Sequence, residues 1–107
     1  MAFTRYHNIS GSTAVTNRLI QRGSNANNIQ SILITNTHGT NASTITLFLQ
    51  DSTGTIVKNF NILSTINLPA DTALLLDDKP LLSFDNNVYD LFITVGSSDT
   101  VDVLINR

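Results

Sequence analysis

An all-β fold, an antiparallel β-sandwich of about seven to nine short strands in a jelly-roll or immunoglobulin-like arrangement, is what this sequence predicts. Three observations predict it. Thr, Asn and Ser make up 37 of the 107 residues; Thr suits a pleated surface through its branched Cβ, while Asn and Ser favour turns by bonding nearby backbone. The residues that fill exposed helix faces are scarce, with no Glu, two Lys, six Ala and one Met, so helices lack their usual material. Apolar residues recur at every second position in several stretches bounded by polar turns, which is the period of a half-buried strand.

The first 28 residues read as an arm or as edge strands, and residues 29–107 as the sandwich body. Two strand-capable stretches, 3–9 and 13–21, lie between Ser10-Gly11-Ser12 and the Gly23-Ser24-Asn25-Ala26-Asn27-Asn28 run. Both alternate weakly and are polar. An exchanged arm and a pair of ordinary edge strands are equally compatible with them.

The body is clearer. Residues 29–36 are apolar at successive positions from Ile32 to Ile34, as in a strand covered on both sides. Residues 43–50 set Ile45, Leu47 and Leu49 on one face and Thr44, Thr46 and Gln50 on the other, with Phe48 breaking the polar side. Asp51-Ser52-Thr53-Gly54 then supplies a turn. Residues 55–62 carry Ile56, Val57, Phe60 and Ile62, with a slip of period near Lys58 that a bulge would explain. Pro69 ends the following stretch by removing a ladder donor. Residues 72–77 hold Leu74, Leu75 and Leu76, too short a run between two prolines for a helix. Residues 88–95 place Tyr89, Leu91, Ile93 and Val95 on one face, and residues 100–106 do the same with Val101, Val103 and Ile105. These last two read as a hairpin closed by a four-residue loop. Leu47, Leu91, Ile93 and Val103 are expected in the core.

Composition narrows function. The net charge is -2 and the six basic residues are scattered, so the clustered Lys and Arg that displace counterions from nucleic acid are missing. Apolar runs are too short to span a membrane as a helix. The first residues show no export signal, and with no Cys the redox compartment stays undecided.

Nothing in the motifs points to catalysis. There is no Gly-x-Ser-x-Gly elbow, no thiol and no Glu acid/base pair. His7 and His38 have no partner at metal-ligand spacing, so no metal, cofactor or catalytic residue is expected. His38 reads as a solvated loop residue whose replacement by Ala leaves folding unchanged. Asp77, Asp78 and Asp85 read as turn carboxylates rather than calcium ligands, because their spacing does not match a calcium loop.

The phrases Ser31-Ile32-Leu33-Ile34-Thr35-Asn36-Thr37 and Ser43-Thr44-Ile45-Thr46-Leu47-Phe48-Leu49-Gln50-Asp51-Ser52-Thr53-Gly54 resemble small virion proteins of tailed bacteriophages, especially those infecting cyanobacteria and other aquatic hosts. Asn67-Leu68-Pro69-Ala70-Asp71, Leu82-Ser83-Phe84-Asp85-Asn86-Asn87 and Tyr89-Asp90-Leu91-Phe92-Ile93-Thr94 extend the likeness across residues 29–107. It is a likeness of phrase and order without a diagnostic motif. It implies a non-enzymatic β-sandwich that decorates or cements a capsid, or sits in a neck or tail, made in the host cytoplasm and carried on the virion. A trimer that seats on the major capsid protein would cover seams with little material. A receptor- or carbohydrate-binding module is the rival reading, weakened by the lack of Trp. For the capsid reading, Phe3, Arg5, Tyr6, Val15, Arg18, Leu19 and Arg22 in the N-terminal stretches are the expected contact residues.

Overall fold

The computed structural model describes residues 3–10, 15–23, 29–78, 82–96 and 100–106. All elements among them are strands: β1 (Phe3–Ser10), β2 (Val15–Ile20), β3 (Ser31–Asn36), β4 (Ser43–Asp51), β5 (Lys58–Leu68), β6 (Thr72–Leu76), β7 (Tyr89–Val95) and β8 (Thr100–Asn106). They form two four-stranded sheets, ordered β1-β8-β3-β6 and β2-β7-β4-β5, with every pairing antiparallel. This order is the jelly roll, the first of the two sandwich arrangements the sequence allows. Only β4 and β5 are consecutive strands that pair; every other connection passes from one sheet to the other.

The core lies between the sheets. Each strand contributes its alternate residues, with Ile32 and Ile34 of β3, Ile45 and Leu47 of β4, Leu91, Ile93 and Val95 of β7, and Val101, Val103 and Ile105 of β8 all buried. The four expected core residues, Leu47, Leu91, Ile93 and Val103, are fully enclosed.

Two expectations are corrected and one open choice is resolved. First, β7 and β8 are not a hairpin. Their matched alternation says only that both turn an apolar face inward, and in a sandwich two strands can do so from opposite sheets. Gly96 N–H donates to the Thr44 carbonyl (2.8 Å), which prolongs the β4–β7 sheet, while Thr37 N–H donates to the Thr100 carbonyl (2.9 Å) in the other sheet. The chain therefore crosses between layers over a loop whose residues 97–99 lie outside the described residues. At Gly96 an added Cβ would overlap the Thr44 hydroxyl, so the crossing uses a residue without a side chain.

Second, of the two readings left open for the N-terminal stretches, the structure has the edge strands, in the same sandwich. β1 pairs with β8 and β2 with β7, and Ile9, Leu19 and Ile20 join the common core. The register of β2 shifts between Arg18 and Ile20. That bulge turns two successive residues inward and hides the alternation that would have marked the strand.

Third, β5 starts at Lys58, and residues 52–57 form the connection from β4. The Asp51 carboxylate accepts the Thr53 amide (3.0 Å) and hydroxyl (2.6 Å), which closes the turn that ends β4. The irregularity expected near Lys58 lies farther along. Leu47 faces Leu63, yet Ile45 faces Ile66 and Phe48 faces Asn61, so β5 carries one extra residue on each side of Leu63. Thr65 takes a left-handed φ of 51° in this stretch, with its amide donating to the Thr46 hydroxyl (3.0 Å). A β-branched residue rarely adopts that conformation.

Candidate functional site

Two surfaces stand out, one polar and one apolar. The polar one is a cleft of about 150 Å³ lined by Arg18, Gln21, Arg22, Ser52 and Asp90. It forms where β2 ends beside the start of β7. Gly23 turns the chain with a φ of 80°, and buried polar side chains hold the turn in place. Asp90 accepts the Arg22 backbone N–H, and the Asn86 carboxamide donates to the Gln21 carbonyl (3.1 Å). Gly23 N–H donates to the Asn86 carbonyl (2.7 Å). Burying such groups is tolerable only because they are bonded.

Two exposed guanidiniums therefore flank a buried carboxylate at a fixed corner of the sheet. Close by, the Asp51 carboxyl is held below its ordinary pKa, chiefly by the Thr53 hydroxyl and amide, with smaller help from the charges of Lys58 and Arg22. The cleft can present charged and neutral donors to an acidic side chain.

The apolar surface follows β5 and the connection before it. Ile56 (71 % exposed), Val57 (56 %), Phe60 (49 %) and Ile66 (39 %) all lie there, and Leu75 of β6 (53 %) is the remaining large exposed hydrophobic among the described residues. The register explains Phe60 and Ile66. They oppose Leu49 and Ile45, so they sit on the inner side of their sheet. The covering strand β6 has five residues against the eleven of β5, and leaves that inner side partly bare. Phe60 meets Tyr89 edge to face, with ring centres 6.0 Å apart. Scattered exposed hydrophobics are ordinary, but a concentration along one margin makes it a candidate contact surface.

The outer face of the β2-β7-β4-β5 sheet carries the stacked rings of Phe48 and Phe92, 5.4 Å apart and 7° from parallel. Each ring lies against one face of the other. Thr16 and Thr94 are bonded to each other beside them (2.9 Å).

The residues expected to make contacts separate onto different surfaces. Arg18 and Arg22 come together in the polar cleft. Val15 is half-buried against the core and Leu19 is buried, so Leu19 faces its own interior and not a partner. Phe3, Arg5 and Tyr6 lie on β1, in the opposite sheet, and their side chains lie outside the described residues. A single contact arm is therefore divided between two sheet edges.

His38 also departs from expectation. Its Nδ1 accepts the backbone N–H groups of Thr40 (3.1 Å) and Asn41 (3.0 Å), and its carbonyl accepts Asp71 N–H (3.1 Å). The imidazole organises its loop rather than pointing idly into solvent. Replacing His38 with Ala removes an acceptor for two amides. The expected cost is about 1 kcal/mol, read as a thermal midpoint about 4–8 °C lower, with His38→Asn recovering part of it. An unchanged midpoint in His38→Ala would restore the solvated-loop reading.

Among the described residues no three His, Cys, Asp or Glu side chains converge as a metal site, and Asp85 instead accepts the Asn87 amide (2.9 Å) in its own turn. What sequence reasoning missed is the β5 margin. Its signal was an excess of apolar residues at 56, 57, 60, 62, 63 and 66, more than one buried face with a two-residue period accommodates. Comparison with models of known protein families gives no match, and comparison with curated proteins gives none either.

Proposed function

We propose that this chain is a non-enzymatic virion structural protein, a decoration or cement protein that binds the outside of a phage capsid and stabilises the shell. The observation that carries this reading is the apolar margin along β5, which suits contact with another protein surface. The cleft of Arg18 and Arg22 supports it as a second contact that favours acidic groups on that surface. Exposed ion pairs add little affinity and weaken with salt, so apolar burial supplies most of the binding. The jelly roll is compatible with this role because capsid and lectin domains both use it, and the site rather than the fold must decide function. The resemblance of residues 29–107 to small virion proteins supplies the setting.

The test is sedimentation of purified protein with capsids that lack it. Saturable binding is expected, reduced by Ile56→Asp and, more weakly and mainly at low salt, by Arg22→Ala. Failure to bind any capsid surface, together with stoichiometric binding of a glycan, would favour the carbohydrate-module reading instead.

A further inference from the structure

We propose that β5 is a self-association strand, pairing edge to edge and antiparallel with β5 of a second copy about a twofold axis at Leu63. This rests on the assembly reading above and divides the margin: residues 59–67 of β5 meet a second copy, while the exposed Ile56 and Val57 before the strand, with Arg18 and Arg22, are left for the shell.

The first argument is the free edge. Among the described residues, β5 pairs with β4 on one side only. Long edge strands invite further pairing unless charge, Pro or a covering segment blocks it. Residues 59–68 contain no charged residue and no Pro. Bulges are another natural defence, and β5 has them, but their placement is the second argument.

Around Leu63 the sequence Asn59-Phe60-Asn61-Ile62-Leu63-Ser64-Thr65-Ile66-Asn67 is nearly self-complementary. Antiparallel pairing centred on Leu63 sets Phe60 against Ile66 of the partner subunit. Asn59 then meets Asn67 of the partner subunit, and Asn61 meets Thr65 of the partner subunit. Apart from Ile62, which meets Ser64 of the partner subunit, apolar residues meet apolar ones and amides meet polar ones. The bulges share this symmetry, because one extra residue lies on each side of Leu63. Phe60, Leu63 and Ile66 thus oppose the inward residues Leu49, Leu47 and Ile45 at equal steps of three. An irregular strand fits poorly against a regular edge. It fits its own twofold mate, since a self-complementary interface repeats each irregularity in reverse.

The third argument is charge and size. Lys58 is the one charged residue in 52–68, and in this register the two copies of it fall at opposite ends of the interface, so like charges stay apart. Eleven residues extend at most about 35 Å, backed by two sheets about 10 Å apart. Such a wall is roughly 350 Å², under half the roughly 800 Å² per partner of a standard interface, which makes the dimer a small, concentration-dependent contact. The contact is isologous, so the species it makes is a dimer, in place of the trimer expected from economy of material.

Sedimentation equilibrium of the full chain tests this. The expected mass is about twice 11.7 kDa, and Ile66→Lys should weaken the dimer at least tenfold while the circular dichroism spectrum stays that of folded protein. Leu75→Lys, on the other sheet, should leave it intact. Combining Phe60→Asp with Ile66→Lys should restore the dimer, because each new Lys then faces a new Asp across the axis. As the chain has no Cys, Leu63→Cys gives an independent reading: oxidation should produce a covalent dimer, and Leu75→Cys should not. A wild-type monomer or trimer, a dimer indifferent to Ile66→Lys, or no cross-link at Leu63→Cys would overturn the proposal. Capsid binding is scored separately: a monomer that still decorates capsids sinks only the dimer, and a dimer that binds none sinks only the decoration reading.

Discussion

Deleting residues 1–22 is expected to abolish folding rather than release a stable body. The deletion removes Ile9, Leu19 and Ile20, all buried in the shared core. Fully burying one such side chain contributes about 1.5–3 kcal/mol. Three of them amount to a large share of the roughly 5–15 kcal/mol that stabilises a domain. The loss of pairing adds to this. Without β1 and β2, one edge of β8 and one of β7 lose their ladder partners, baring strands that are among the most apolar in the chain. The truncated chain should be recovered insoluble, or give a circular dichroism spectrum without a cooperative melt. A soluble truncation with a cooperative transition would show that the first strands are dispensable and return the arm reading.

The second large effect is expected at Asn36. This residue is completely buried at the end of β3. Its carboxamide donates to the carbonyls of Asn41 (3.0 Å), Leu68 (3.1 Å) and Pro69 (3.3 Å), and its side-chain oxygen accepts His38 N–H (3.0 Å). One side chain thereby ties the β3–β4 connection to the end of β5. Asn36→Leu fills the space but leaves those backbone groups without their partner, and each unsatisfied buried group costs about 1–3 kcal/mol. A total loss of about 3–5 kcal/mol is expected, measured as a lower urea midpoint with an unchanged slope. Asn36→Asp should be nearly as damaging, because an ionised carboxylate accepts where this site needs a donor. A loss below about 1 kcal/mol in Asn36→Leu would mean that water replaces the amide and that the residue is not a tie.

These residues also show what the sequence could reveal. The strands of residues 88–95 and 100–106 were legible because one clean apolar face survives in each, and their buried residues follow from it. Which sheet each strand joins was not legible. Val95 and Val101 look alike in sequence whether they face each other's sheet or share one, and only the long-range bonds of Gly96 and Thr37 decide. β2 was faint because its bulge sends Leu19 and Ile20 inward together. Asn36 and Asn86 were hidden by abundance, two buried amides among thirteen Asn.

The candidate site was legible only in part. Arg18 and Arg22 were named as contacts, but their convergence with Asp90 joins residues about seventy positions apart and leaves no local pattern. The β5 margin was misread as one more half-buried strand, since the shortness of β6, which leaves it bare, is a property of the packed pair.

The claim that this protein reinforces a capsid is tested most directly by heating filled capsids, with and without the purified chain, and recording DNA release. The account predicts release at a higher temperature when the protein saturates the outer surface, with the shift lost in Ile56→Asp. Release at the same temperature, with no protein bound to the shells, would contradict it.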